Sequence, residues 1–293
     1  MFLSAIKSAM PWQVKIGAKI VLSRLPVGYG LWSRLNLFKH GPMEDLSYAT
    51  GVFERHLATW RATGRSGPFT MLELGPGDSL FSALIARRLG ASRSWIVDTG
   101  AWANVEITAY QRAAGTLFPE GNEQGVDPAR WTRIEEMLED CRAGYLTGGL
   151  ESLRRLADGS IDLFWSQAVL EHVRRREVGP TFAEMRRLLS PTGVASHVVD
   201  FKDHLGGKLN NLRFSEERWE SNLFSSSGFY TNRIRCKQML AQAADAGLAP
   251  RLADIKRWEE LPTPRAAMHE MFRGLPDDEL LVSDIHLVLQ LPN

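Results

Sequence analysis

The sequence predicts an α/β fold, an open sheet with helices wound over both faces, and three observations carry that reading. A strand, a glycine turn, a helix and a second strand succeed one another between Met71 and Asp98. Short apolar strands then alternate with amphipathic helices to residue 201, and two closing strands follow a last helix. Met71, Leu72 and Leu74 make the first strand, and Gly75-Pro76-Gly77 turns the backbone where a Cβ would collide with a ligand. Leu80, Phe81, Leu84, Ile85 and Leu89 recur at helical spacing up to a cap at Gly90. Trp95-Ile96-Val97 form the second strand, which ends in Asp98.

The stretch from Asp98 to residue 142 reads as helical, broken by Pro119-Glu120-Gly121-Asn122. It is longer than a crossover needs, so part of it is expected to form a lid. Ala143 to Leu146 give a third strand and Ile161 to Ser166 a fourth. Phe182, Met185, Leu188 and Leu189 mark a helix, Ser190-Pro191-Thr192-Gly193 a turn, and Val194 to Phe201 a fifth strand. Residues 202–234 are polar, aromatic and irregular, which suits a substrate loop. A helix around Met239, Leu240 and Ala243 ends at Gly247, and strands are expected near Leu248 to Ile255 and Ser283 to Leu291. Upstream, Val14, Ile16, Ile20, Val21 and Leu22, then Val52, Phe53, Leu57 and Trp60, predict helices. Gly64-Arg65-Ser66-Gly67-Pro68 marks the entry to the sheet. The expected division is a helical cap or extension at 1–62 and a catalytic domain at 63–293.

The chain's 293 residues allow one large α/β core with additions. Its 35 basic and 34 acidic side chains nearly cancel, so no general affinity for polyanions, nucleic acid included, is expected. Cys141 and Cys236 fit no metal or redox spacing. No stretch reaches the roughly 18 to 20 apolar residues of a spanning helix, and Lys7, Lys15 and Lys19 interrupt every candidate leader core. A cytoplasmic protein is expected. Residues 1–43 carry no acid. Their apolar positions, Phe2, Leu3, Ile6, Ile20 and Leu22, suit a cap over an active site, or alternatively a peripheral contact with an anionic membrane.

A dinucleotide site would place a third glycine at position 80, where this chain has Leu80. Instead Glu73-Leu74-Gly75-Pro76-Gly77, with Asp98 lying 23 residues beyond Gly75, resembles the first motifs of class I S-adenosylmethionine-dependent methyltransferases, in the manner of type 11. Ser160-Ile161-Asp162-Leu163 followed by Val169-Leu170-Glu171-His172-Val173 resembles their signature after the fourth strand. The motifs span about Phe69 to Phe201, and beyond them only the order of elements agrees. The resemblance implies a doubly wound, seven-strand Rossmann-like sheet with S-adenosylmethionine as cofactor. Glu73, Gly75 and Gly77 would wrap its amino-acid part and Asp98 would hold its ribose. Ser166 and Gln167, at the carboxyl end of the fourth strand, join the expected cofactor set. The adenine-contacting acid of related sequences falls on Gly149, for which Glu151 is the expected substitute.

Methyl transfer at a sulfonium carbon asks the protein mainly to orient an acceptor, and a hydroxyl acceptor also needs a base, for which imidazole is suited. Of the candidates, His197 lies inside a strand. His172 pairs with Glu171 either structurally or at the active site. His204 falls just past the fifth strand and is the favoured base, with Asp200 or Asp203 orienting it. Arg174-Arg175-Arg176 is either an anion site or a solvated face. Asn210, Asn211, Arg213, Tyr230, Asn232 and Arg233 suit either a hydroxyl-rich acceptor or an ordinary lid. The reading is O-methylation of a small, glycan-like or phosphate-bearing molecule. Its rivals are a cofactor-binding scaffold without catalysis and, for a minor role, metal-assisted transfer. Glu171-His172 resembles part of the metal motif of small-RNA 2′-O-methyltransferases, but Ala168 replaces its first glutamate, so no metal site is expected.

Overall fold

The computed structural model describes residues 12–22 and 42–292. Its sheet contains seven strands: β1 (Phe69–Leu74), β2 (Ala91–Val97), β3 (Ala143–Leu146), β4 (Ile161–Gln167), β5 (Leu189–Asp200), β6 (Ala249–Arg257) and β7 (Val282–Gln290). Their order is β3-β2-β1-β4-β5-β7-β6. The first five run parallel, and β7 lies antiparallel to both β5 and β6. The chain order therefore reverses between β1 and β4, and ligands of open α/β sheets bind at the carboxyl ends of strands beside such a reversal.

Alternation along the strands supplies a core on each face. Leu163 and Trp165 of β4 face helices α2 (Leu46–Arg61), α3 (Phe81–Arg88), α4 (Ile107–Leu117) and α5 (Ile134–Asp140), while Phe164 faces α6 (Leu150–Arg154) and α7 (Val178–Leu188). On α2 the buried residues Val52, Phe53, Leu57 and Trp60 recur at helical spacing. Phe53 meets Trp165 edge-on at 5.7 Å, and Asp45 caps the helix by accepting the Tyr48 N–H at 3.0 Å. This helix lies within the stretch expected as an extension, yet it shares the first core with the sheet. Truncating Phe53 to Ala would cost about 3 to 5 kcal/mol.

The expected lid is not one. Trp131, Ile134 and Met137 are buried in the same core, and Gln111 Nε2 donates to the carbonyls of Pro128 and Trp131 at 3.3 and 2.8 Å. The segment is long because it builds a layer. The Ser190–Gly193 turn is absorbed into β5 as a bulge: Ile161 pairs with Leu189 but Leu163 with Val194, so the intervening residues loop out of register.

Residues 202–234 are more regular than expected, with short helices α8 (Glu216–Glu220) and α9 (Asn222–Ser225). Together with α1 (Trp12–Leu22) they form a lobe with its own aromatic core, in which Trp12, Ile16 and Ile20 pack with Leu205, Trp219, Phe224, Phe229 and Tyr230. Trp12, Ile16 and Ile20 of α1 are thus spent on protein, whereas Val14 is exposed. Phe2, Leu3 and Ile6, and the side chain of Leu22, lie outside the described residues. Among those described, no helix is long and apolar enough to cross a membrane.

Candidate active site

Three strand ends converge at the mouth formed by β1, β2 and β4. Gly75 and Gly77 adopt φ of +73° and +68°, and the Gly75 N–H donates to the Val97 carbonyl at 2.8 Å, tying the turn to β2. A Cβ on Gly75 would stand 2.6 and 2.8 Å from the Val169 methyls, so both conformation and space demand glycine. Val169 is brought there by Ala168, a non-glycine residue at φ +54° whose N–H donates to the Val198 carbonyl at 2.8 Å. Left-handed strain of this kind concentrates at functional sites.

Asp98 caps β2. Its N–H donates to Leu146, its carbonyl accepts from Gly149, both at 2.8 Å, and its Oδ1 accepts the Thr99 N–H at 2.6 Å. Gly149 itself sits at φ +53° against the Thr99 methyl. Glu73 is fully enclosed and accepts a hydrogen bond from the Ser82 hydroxyl. Burial pushes its carboxyl up to about 8, with Ser82 opposing and the charge of Asp98 reinforcing the shift. A turn with glycine at both ends, beside a carboxylate on the neighbouring strand end, is an arrangement that can hold a nucleoside.

The other half of the site leaves from β4 and β5. Glu171 and His172 lie on a turn, and a single 3-10 turn at Arg175–Glu177 leads from it into the α-helix at Val178. Asn232 fastens that turn: its Nδ2 donates to the carbonyls of Leu170 and Val173 at 2.7 and 3.0 Å, and its N–H donates to Glu171 at 2.7 Å. His172 Nδ1 lies 2.9 Å from the Tyr230 carbonyl, and His172 Nε2 lies 3.0 Å from His204 Nε2, the two rings being nearly parallel at 13°. Both imidazoles are exposed. Glu171 points the other way, buried with neither carboxyl oxygen hydrogen-bonded, and burial raises it well above the usual carboxylate range.

The acids expected to orient His204 are committed elsewhere. Asp200 Oδ1 pairs with Lys202 Nζ at 3.1 Å, and Lys202 also contacts Asp284 at 2.5 Å. Asp203 accepts the N–H groups of Leu205, Lys208 and Asn210 and so shapes its own loop. His172 takes the place foreseen for an acid. Ser166 is not at the mouth, because it is the cross-strand neighbour of His197 and its hydroxyl lies 2.7 Å from His197 Nδ1 inside the sheet. Gln167 ends β4 with a buried carbonyl oxygen that has no hydrogen-bond partner. Glu151, the expected adenine contact, pairs with Arg154 on the exposed side of α6. His197 is the core histidine expected, held down to about 3 by burial and by His286.

The arginine run serves the lobe. Arg174 lies over the Tyr230 ring, Arg175 donates to the Asn232 carbonyl and pairs with Glu216, and the exposed Arg176 pairs with Glu177. Among the described residues no cluster of three or more His, Cys, Asp or Glu suits a metal ion. The sequence reading missed the Tyr230 carbonyl and the bracing by Asn232. Neither has a motif, and only their place in a polar cluster marked them.

Residues 122–196, which span β3, β4 and the His172 turn, match the family described as "Methyltransferase domain". No curated protein matches the chain. Among solved structures it is similar to the geranyl diphosphate C-methyltransferase of Streptomyces coelicolor, at 14% identity over 84% of this chain and 79% of that one, TM-score 0.45. It is similar to the YcgJ protein of Bacillus subtilis, at 14% identity over 82% and 99%, TM-score 0.45. It is also similar to the 1,6-didemethyltoxoflavin-N1-methyltransferase of Burkholderia thailandensis, at 14% over 84% and 78%, TM-score 0.41. The family match thus takes in β4 and the His172 turn at the mouth, while the glycine turn and Asp98 lie before it.

Proposed function

We propose that the protein methylates a hydroxyl oxygen of a small polar acceptor, glycan-like or phosphate-bearing, with His204 as the base. The observation that supports this is the contact between His204 and His172 at the mouth, with His172 anchored on the Tyr230 carbonyl. A carbonyl only accepts, so His172 Nδ1 carries the proton and a neutral His172 presents a lone pair at Nε2. The His204 Nε2–H then donates to it, which leaves Nδ1 as the basic nitrogen of His204. When Nδ1 takes the acceptor's hydroxyl proton, the new charge is stabilised by the hydrogen bond His204 already makes to His172. These tautomers follow from the partners.

Glu73, Gly75, Gly77 and Asp98 would hold the cofactor. When bound, S-adenosylmethionine supplies a methyl group on a sulfonium centre, open to attack from the side opposite the sulfur. The chain's own share is to seat the nucleoside against the glycine turn, to hold the acceptor beneath the lobe and to move one proton. In the same reading α1 serves as the cap of that lobe. Purified protein incubated with methyl-labelled cofactor and fractionated cell extract tests the proposal. Wild type should label one fraction, and His204→Ala should lose on the order of 10² to 10⁴ in rate, the usual share of a general base. Undiminished transfer by His204→Ala would refute the role of base.

A further inference from the structure

We propose that the Arg233 guanidinium is a receptor for an oxyanion, a carboxylate or phosphate group borne by the acceptor. Arg233 is only 4% exposed and its backbone is left-handed, at φ +60°. Its guanidinium carbon lies over the Trp219 and Phe272 rings, 5.3 and 5.1 Å from their centres. Its Nη1 donates to the Phe214 carbonyl at 2.7 Å and to the Asn211 carbonyl at 3.5 Å. Nε and Nη2 are buried and have no partner.

Those two nitrogens lie along one edge of the guanidinium, the edge whose parallel N–H bonds match the two oxygens of a carboxylate or phosphate. A buried cation is costly unless an anion meets it, and Glu216 and Glu220 act on Arg233 only through space, without an ion pair to it. Glu216 pairs with Arg175 at 3.5 Å, and Glu220 accepts the Tyr230 hydroxyl at 3.0 and 3.2 Å. Among the described residues Arg233 forms no ion pair. Burial draws the group down only to about 10, so it remains charged at neutral pH. Asn211 Oδ1, also buried and partnerless, offers an acceptor for a hydroxyl near the same arginine.

The position suits an acceptor group. Arg233 directly follows Asn232, which fastens the His172 turn, and lies three residues beyond Tyr230, whose carbonyl orients His172. One short segment thus presents both the braced imidazole pair and the unfilled fork. That the oxyanion belongs to the methyl acceptor rests on the function proposed above. That the fork binds an oxyanion does not.

Calorimetric titration of the full chain with inorganic phosphate and with acetate, each against chloride at equal ionic strength, tests the site without any methyl transfer. Wild type should bind at least one of the two saturably, and the preferred one tells phosphate from carboxylate. Arg233→Lys, which keeps the charge but loses the fork, should weaken that binding at least tenfold while S-adenosylhomocysteine binding, the check on folding, is unchanged. Binding no stronger than chloride's, or wild-type affinity in Arg233→Lys, would overturn the proposal. So would a labelled acceptor that carries neither group. Because the anion titration needs no turnover, its failure leaves the methyl-transfer reading intact, and a failed transfer assay leaves the anion result standing.

Discussion

At the donor mouth, Gly75, Asp98 and Gly149 are set by hydrogen bonds between adjacent parallel strand ends. In the lobe, His172 and His204 come from segments 32 residues apart and depend on a carbonyl 58 residues beyond His172. The mouth is thus rigid scaffold with local bonding, whereas the lobe is held by a few polar ties and a separate aromatic core that includes α1. Tight, conformation-dependent binding suits the first and adjustable acceptor recognition the second, since binding loops are placed on rigid elements for that reason.

The sharpest way to break this division is chemical. His204→Ala should remove about 3 to 5 kcal/mol of transition-state stabilisation and leave the calorimetric affinity for S-adenosylhomocysteine unaltered. A matching loss of cofactor affinity would mean the two halves are one unit. Next in size is Gly75→Ala. Left-handed strain and overlap with Val169 together should cost about 3 kcal/mol of cofactor affinity, roughly 100-fold. Gly207→Ala supplies the contrast within the lobe, since Gly207 also has positive φ but its Cβ would meet nothing within 4 Å. It should cost only about 1 kcal/mol of stability, read from urea unfolding.

The mouth also carries a pH signature. Glu73 has its folded value raised from 4.5 to about 8, so its contribution to stability is fully present below pH 4.5 and lost as pH rises through 8. His197 has the opposite sign. Its folded value is depressed from 6.5 to about 3, so its contribution is present above pH 6.5 and lost as pH falls through 3. Urea unfolding of the apoprotein between pH 5 and 8.5 should show stability declining with pH, and Glu73→Gln should flatten that decline by on the order of 2 to 3 kcal/mol. A smaller effect than that of Glu73→Gln is expected from Asn232→Asp, which removes two donors to the His172 turn. It should cost about 1 to 2 kcal/mol of stability and alter the imidazole resonances of His172 and His204 in an NMR pH titration. An unchanged titration would show that the turn holds itself.

Much of the fold was legible because it rests on local signals. Apolar periodicity placed the strands and the helices, and a glycine turn with an acid at the next strand end marked the mouth. The stretch between Asp98 and residue 142 misled because a long crossover reads alike whether it covers a site or packs as Trp131 and Met137 do. Ser166 misled because proximity in sequence to a strand's end does not tell which face it takes, and pairing with His197 was visible only once β4 and β5 were in register. At the histidine pair the sequence named both rings but joined His204 to acids beside it. Short-range pairing is the default guess, yet Asp203 closes its own loop and Asp200 serves Lys202. The Tyr230 carbonyl was unreadable, since a backbone acceptor has no residue signature.

A crystal of the protein soaked with S-adenosylhomocysteine decides whether the two halves form one site. The amino-acid part is expected against Gly75–Gly77, the ribose hydroxyls on the Asp98 carboxylate and the sulfur on the side that faces His172 and His204. Density for the nucleoside elsewhere, or a sulfur turned away from the histidine pair, would contradict it.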